Sequence, residues 1–219
     1  NGWCKNWCFK WVIFVSNSWL LYAIDCHSKK AINLKMLKKI KYLLLIMITS
    51  FFTTGVSGDY NKLAYDFNFN DLDGSLLKLS EYKDKVIVVI NVASQCGFTK
   101  QYEDMQKIWD KYQSRGIIIL GVPSNDFGNQ EPGSSKDIKN FCEAKFGITF
   151  PMTEKVEVKG KNAHPFYKWA EENHGKSAIP KWNFHKIIIG KDGKVFDTFA
   201  SITNPSSGKF ISSIEKALN

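Results

Sequence analysis

Apolar and polar positions change rhythm several times along the chain, and each rhythm predicts an element. Phe67 and Phe69 alternate with polar residues, Asp73-Gly74 signals a turn, and Leu77 and Leu79 alternate again, which predicts a β-hairpin. Val86 to Val92 is a continuous run rich in β-branched residues, the mark of a strand covered on both faces. Tyr102, Met105, Ile108, Trp109 and Tyr112 then recur at helical spacing, and Ile117 to Val122 forms a second buried strand. A polar Gly/Pro loop runs through Gly133, after which Ser134 or Ser135 can cap a helix carrying Ile138, Phe141 and Cys142 on one face. A further helix covers His164 to Glu172. Lys186 to Ile189 and Val195 to Phe199 flank Lys191-Asp192-Gly193-Lys194 as a second hairpin, and Phe210, Ile211, Ile214 and Leu218 outline a last helix.

This order, hairpin, strand, helix, strand, two helices, hairpin, helix, predicts an α/β fold: a central mixed sheet flanked by helices, with an N-terminal β-hairpin. A body of about 160 residues can bury one core, and no internal repeat or linker divides it.

Composition sharpens the boundary of that body. The chain has 219 residues, 44% of them hydrophobic, which excludes a disordered chain. Its formal net charge of +9 points at first to an acidic partner. Residues 1–58, however, hold eight Lys and a single acid, Asp25, a net of +7, whereas residues 59–219 carry only +2. The excess is N-terminal, so the body gives no reason to expect nucleic acid.

Three segments follow: 1–35, 36–58 and 59–219. Met36 to Lys41 is basic, Tyr42 to Phe52 is mostly apolar, and Val56-Ser57-Gly58 is small, the three parts of a secretory signal peptide. The apolar run is too short to span a bilayer comfortably. The expectation is an exported protein, in the bacterial periplasm, or a membrane-anchored one if the leader is uncleaved. Residues 1–35 are expected to be upstream sequence with Met36 as the start, and no function is assigned to them. Cys4 and Cys8 lack a partner at metal-ligand spacing.

The chemistry centres on Cys96, in Asn91-Val-Ala-Ser-Gln-Cys-Gly-Phe-Thr99, after a buried strand and before the first long helix. Ligands and catalytic groups in open α/β sheets collect at such strand ends. A thiol at a helix N-terminus faces free N–H groups and the positive end of the dipole, which favour the thiolate. A buried structural thiol is the alternative. The loop Gly121 to Gly133 leaves the next strand beside it with amide donors in Asn125, Asn129 and Gln130, and Lys181-Trp182-Asn183-Phe184 adds an indole N–H and another amide. His27, His164, His174 and His185 show no metal-ligand spacing, and no cofactor is called for.

Taken together, Asn-Val-Ala-Ser-Gln-Cys-Gly-Phe-Thr, the loop Asn125 to Gly133 with its Gln-Glu-Pro-Gly, and Trp-Asn-Phe resemble the glutathione peroxidase family. Phe146 to Pro151 and Ala163-His164-Pro165 are similar to it as well, and the likeness covers roughly residues 61–217. The resemblance implies a thioredoxin-like fold and a peroxidatic Cys at Cys96, with Gln130, Trp182 and Asn183 as its partners. It implies a thiol-dependent peroxidase acting on hydrogen peroxide and organic hydroperoxides, lipid hydroperoxides among them, through a sulfenic acid. The reductant would be glutathione or a thioredoxin-like protein.

Cys142 lies where Cys-using members often carry a resolving thiol, but its helical spacing with Ile138 equally fits a core thiol. A Cys96–Cys142 disulfide needs the two Cα atoms within about 7 Å, hence local unwinding of the helix. Two departures stand out: Ser124 where many members have Cys, and Asp126 where many have Gln. The segment Glu172 to Lys181 is short and lacks the insertion tetrameric members use for assembly, which resembles monomeric or weakly dimeric ones. The competing readings are a thioredoxin-like disulfide oxidoreductase, disfavoured because Cys96 has no Cys-x-x-Cys partner, and a redox-inactive exported binding module.

Overall fold

The computed structural model describes residues 60–219. The expected leader at 36–58 and the segment 1–35 lie outside the described residues. In chain order the elements are β1 (Asn68–Asn70), β2 (Leu76–Lys78), β3 (Val86–Val92), α1 (Gln101–Tyr112), β4 (Ile117–Pro123), α2 (Ser135–Phe146), α3 (Pro165–His174), β5 (Lys186–Ile189), β6 (Val195–Phe199) and α4 (Gly208–Leu218). Short 3-10 turns at Ala64–Asp66, Leu79–Tyr82, Gln113–Arg115 and Gly175–Ala178 join them. The turns carry no periodicity of their own, so the hydrophobic pattern did not announce them.

β3 is buried at every position because it is central and both its faces are covered. The sheet runs β4-β3-β5-β6, with β3 parallel to β4 and antiparallel to β5, so it is mixed as the sequence predicts. Alternation along β3 sorts the core into two layers. Val86, Val88, Ile90 and Val92 pack with Tyr102, Met105 and Ile108 of α1, Ile138 and Cys142 of α2, and Phe210 and Ile214 of α4. Ile87 and Val89 pack with Phe166, Trp169 and Ala170 of α3 and with Phe67 and Phe69 of the N-terminal hairpin. Each fully buried side chain of this kind contributes about 1.5–3 kcal/mol.

Local signals fix the helix ends that matter for the site. Ser134 caps α2 and forms a reciprocal capping box with Asp137, and Gly147, in the left-handed region, closes the helix. His164 caps α3 by accepting the Phe166 N–H at its Nδ1, 3.3 Å, and stacks on Phe69 with ring centroids 4.0 Å apart. That makes it a structural histidine. No helix among the described residues is long and apolar enough to cross a membrane.

Candidate active site

Parallel pairing brings the C-terminal ends of β3 and β4 out at the same edge, with Val92 opposite Pro123. The Ser124 N–H donates to the Val92 carbonyl at 3.1 Å, so the two following loops start side by side. Cys96 lies in the first, four residues beyond β3. The sequence places it before the first long helix, at its N-terminus, and the structure fills the interval with turns. α1 begins at Gln101, and Cys96 heads a series of tight turns in which the Thr99 N–H donates to the Cys96 carbonyl at 3.1 Å and the Gln101 N–H to that of Phe98 at 2.9 Å. Thr99 is the reason. Its buried Oγ1 accepts the Cys96 N–H at 3.0 Å and lies 2.9 Å from the Ala93 carbonyl, a side-chain alternative that competes with regular helix. Cys96 Sγ accepts the Phe98 N–H at 3.4 Å.

The second loop is fastened to the first at two adjacent residues. The Gln95 N–H donates to the Gln130 carbonyl at 3.0 Å, and the Ser94 N–H and hydroxyl donate to Glu131 Oε2 at 2.9 and 3.1 Å. Burial pushes the Glu131 carboxyl above its ordinary range, and the two bonds from Ser94 work against that shift. The Glu131 N–H in turn donates to Asn125 Oδ1 at 2.8 Å. Lys155 Nζ donates to the carbonyls of Glu131 and Gly133, drawing the loop down onto the body.

The third segment, Trp182–His185, meets the other two through a side-chain pair. Asn183 is fully buried and its Nδ2 donates to Gln130 Oε1 at 2.9 Å, while its Oδ1 has no partner among the described residues. Trp182 is 40% exposed, and its ring leans on Phe127 with centroids 5.8 Å apart. Asn91 of β3 bonds this segment with its side chain: Nδ2 donates to the Trp182 carbonyl and Oδ1 accepts the His185 N–H, both at 3.1 Å. Phe184 sits at φ +65°, where a side chain larger than glycine's costs about 1–3 kcal/mol unless its surroundings hold it.

Thus Gln130 and Asn183 are directly bonded, Gln130 is bonded to the neighbour of Cys96, and Trp182 sits next to Asn183. Cys142 stands apart from this group. It lies on α2, buried in the same core layer as Cys96, and among the described residues both thiols are free. Burial pushes the Cys142 thiol up to about 11; the Tyr102 hydroxyl opposes the shift, and the charges of Glu131 and Glu143 add to it. Among the described residues, no three His, Cys, Asp or Glu side chains gather as a group able to hold a metal.

The glutathione peroxidase family model matches residues 64–171. A hydroperoxy fatty acid reductase from Synechocystis sp. is 45% identical over 166 residues, covering 72% of this chain and 97% of that protein. The chain belongs to the glutathione peroxidase family. A glutathione peroxidase-like peroxiredoxin from Saccharomyces cerevisiae is 43% identical and covers 65% of this chain and 90% of its own length. Among solved structures, the crystal structure of Trgpx in apo form superposes with a TM-score of 0.59 at 35% identity, covering 72% of this chain and 96% of that one. The fold is thioredoxin-like, and the enzyme is a thiol-dependent peroxidase.

The two departures from the glutathione peroxidase pattern have structural roles in this chain. Ser124 is buried and its Oγ accepts the Asp126 N–H at 3.3 Å. Asp126 Oδ2 accepts the N–H groups of Val158 and Lys159 at 2.7 and 3.2 Å, so it anchors a neighbouring segment. Asn91, Thr99, Ser94 and Glu131 went unassigned from sequence. Asn91 did leave a signal, an amide interrupting an apolar strand, and so did Glu131, an acid inside a Gly/Pro loop.

Two further buried groups flank the site. Lys186 opens β5 with its ammonium enclosed, donating to Gln101 Oε1 and, at 2.7 Å, to the Thr203 carbonyl, and burial lowers its pKa to about 7. Burial lowers that of His185 to about 4, reinforced by the charges of Lys186 and Lys181.

Proposed function

We propose that Cys96 is the peroxidatic thiol and that Gln130, Trp182 and Asn183 are its donor partners. The observation carrying this is the meeting of three chain segments, closed by the Asn183–Gln130 bond and the Gln95–Gln130 bond next to the thiol. The Cys96 thiolate attacks one oxygen of the hydroperoxide, the O–O bond breaks, and the sulfur becomes a sulfenic acid. The departing oxygen takes up a proton and leaves as water or an alcohol. Amide and indole N–H groups held in place lower the cost of charge developing on that oxygen. Peroxide consumption with a supplied thiol tests this: it should vanish in Cys96→Ser, and a variant as fast as the wild type would sink the assignment.

Cys142 completes the cycle in this reading. Its thiol condenses with the sulfenic acid, releasing water and forming a Cys96–Cys142 disulfide, which an external dithiol protein then reduces. Mass spectrometry after one equivalent of peroxide should show that disulfide; a mixed disulfide with added glutathione, with Cys142 still alkylatable, would assign reduction to a small thiol instead. Fatty acyl hydroperoxides are the proposed substrates, supported by the relative named a hydroperoxy fatty acid reductase and by the 40% exposure of Trp182 at the site. The basic and apolar segment 36–58 supports export, which the N-terminus of the mature protein would read directly. The short link from Glu172 to Lys181 supports a monomer or weak dimer, measurable by sedimentation.

A further inference from the structure

We propose that Asn91 is a positioning residue of the peroxidatic site: from the central strand it sets the pose of the turn that carries Trp182 and Asn183. The inference rests on the reading of Cys96, Trp182 and Asn183 as the reacting set.

An amide side chain inside a strand of Val and Ile is costly to bury unless every polar atom is matched. Asn91 is 1% exposed, and each of its polar atoms bonds the same four-residue turn. Its Nδ2 donates to the Trp182 carbonyl and its Oδ1 accepts the His185 N–H. Its own carbonyl accepts the Phe184 N–H at 2.6 Å, and its own N–H donates to the His185 carbonyl at 3.3 Å. The main-chain bonds would form with any residue at position 91. The side-chain pair would not, and it spans the turn from its first residue to its last.

That turn needs holding. Phe184 occupies the left-handed region, which an aromatic residue keeps only when the structure around it leaves no alternative. Trp182 is partly exposed and, among the described residues, meets one aromatic ring, Phe127, so its ring does not fix the turn. Among the described residues the Asn183 side chain makes one hydrogen bond, to Gln130 Oε1, which ties the turn to a neighbouring loop rather than to the sheet. Asn91 is the anchor on rigid scaffold. The Cys96 turn, by contrast, has its own internal clamp in Thr99. Loss of the Asn91 side chain should therefore displace the donors while leaving the thiol where it is.

This separation is what the experiment reads. In the full chain, Asn91→Ala should slow oxidation of Cys96 by hydrogen peroxide by about 10–100-fold, the scale of a misplacement of catalytic groups of roughly 1 Å. Alkylation of Cys96 by iodoacetamide, which needs the thiol but not the donors, should change less than about 3-fold. The indole N–H resonance of Trp182, assigned with Trp182→Phe, should shift while those of Trp109 and Trp169 stay. Ser213→Ala, which removes a buried hydroxyl bonded to Asp197 Oδ2 at 2.7 Å on α4, supplies a control weakened away from the site. If Asn91→Ala does not fold, Asn91→Ser, which keeps a polar group in the strand, takes its place. Equal losses in oxidation and alkylation, matching those of Ser213→Ala, would overturn the proposal, as would an unshifted Trp182 resonance with full peroxide activity. A wild-type protein no faster than Cys96→Ser would instead bring down the underlying reading, a result the Asn91 variants cannot mimic.

Discussion

The two thiols of the described body lie in one core layer yet sit in opposite settings. Cys96 leaves a strand end in a turn shaped by Thr99, receives a backbone N–H, and adjoins two loops rich in amide donors. Cys142 projects from a regular helix, walled by Tyr102 and pushed up to about 11 by burial. Backbone geometry, more than residue type, separates them. A thiol in a turn can be approached and solvated by N–H groups, whereas a helical thiol has neighbours whose N–H groups are already spent on the helix.

The largest effect should come from exchanging the two in turn. Cys96→Ser should remove peroxide consumption by on the order of 10³-fold or more, as loss of a nucleophile does. Cys142→Ser should leave the first oxidation of Cys96 within about 3-fold of the wild type while abolishing the disulfide, and a single-turnover stopped-flow trace separates these outcomes. If both slow the first oxidation equally, the contrast between them fails. Next in size is the donor set: Trp182→Phe keeps the ring against Phe127 but deletes the indole N–H, and loss of one preorganised donor costs about 2.7–4 kcal/mol in rate terms. A smaller loss would mean that Gln130 and Asn183 carry the stabilisation.

Cys142 itself supplies a pH test. Its thiol is a neutral acid whose folded pKa lies above the unfolded value, so the thiolate fraction at pH 7 is on the order of 10⁻⁴. Alkylation of Cys142 in the reduced, folded Cys96→Ser protein should rise about tenfold per pH unit from pH 7 toward 11. A plateau near pH 9 would show that the thiol reacts from an opened helix with its ordinary pKa. By linkage the same shift lowers folding stability as pH rises from about 9 to 11, where the unfolded chain releases a proton that the folded one keeps. The smallest effect belongs to the helix cap. Ser134→Ala should cost about 1 kcal/mol of helix stability and, if α2 must unwind for Cys142 to reach Cys96, speed disulfide formation by about fivefold. An unchanged rate would mean that resolution proceeds without opening the start of α2.

Most of the fold was legible in the sequence because it rests on periodicity: the continuous β3 run, the helical spacing from Tyr102 to Tyr112, and the alternation of Phe67 and Phe69. Motif likeness brought Cys96, Gln130, Trp182 and Asn183 together as candidates, and the structure links the three loops that bear them. What could not be read depends on contacts between distant residues. The Asn91 bonds reach across roughly ninety positions to a turn whose left-handed Phe184 no propensity predicts. Glu131 looks like an ordinary loop acid until Ser94 is found on it. The start of α1 at Gln101 agrees with the helical spacing that opens at Tyr102, but the tight turns between Cys96 and Gln101 rest on the Thr99 side chain and carry no periodicity to announce them.

β4 lies at the border of the sheet, and a border strand offers free N–H and carbonyl groups to any passing chain. Here the stretch Pro151–Thr153 lies along part of it: the Gly121 N–H donates to the Pro151 carbonyl and the Thr153 N–H to the Gly121 carbonyl, both at 2.9 Å. The approach is close enough that a Cβ on Gly121 would stand 3.2 Å from Met152 and 3.3 Å from Phe150. A larger residue at that position would press on the Met152 and Phe150 side chains and loosen the cover over the edge. The molecule's resistance to edge-to-edge association on this side therefore depends on a residue that has no side chain.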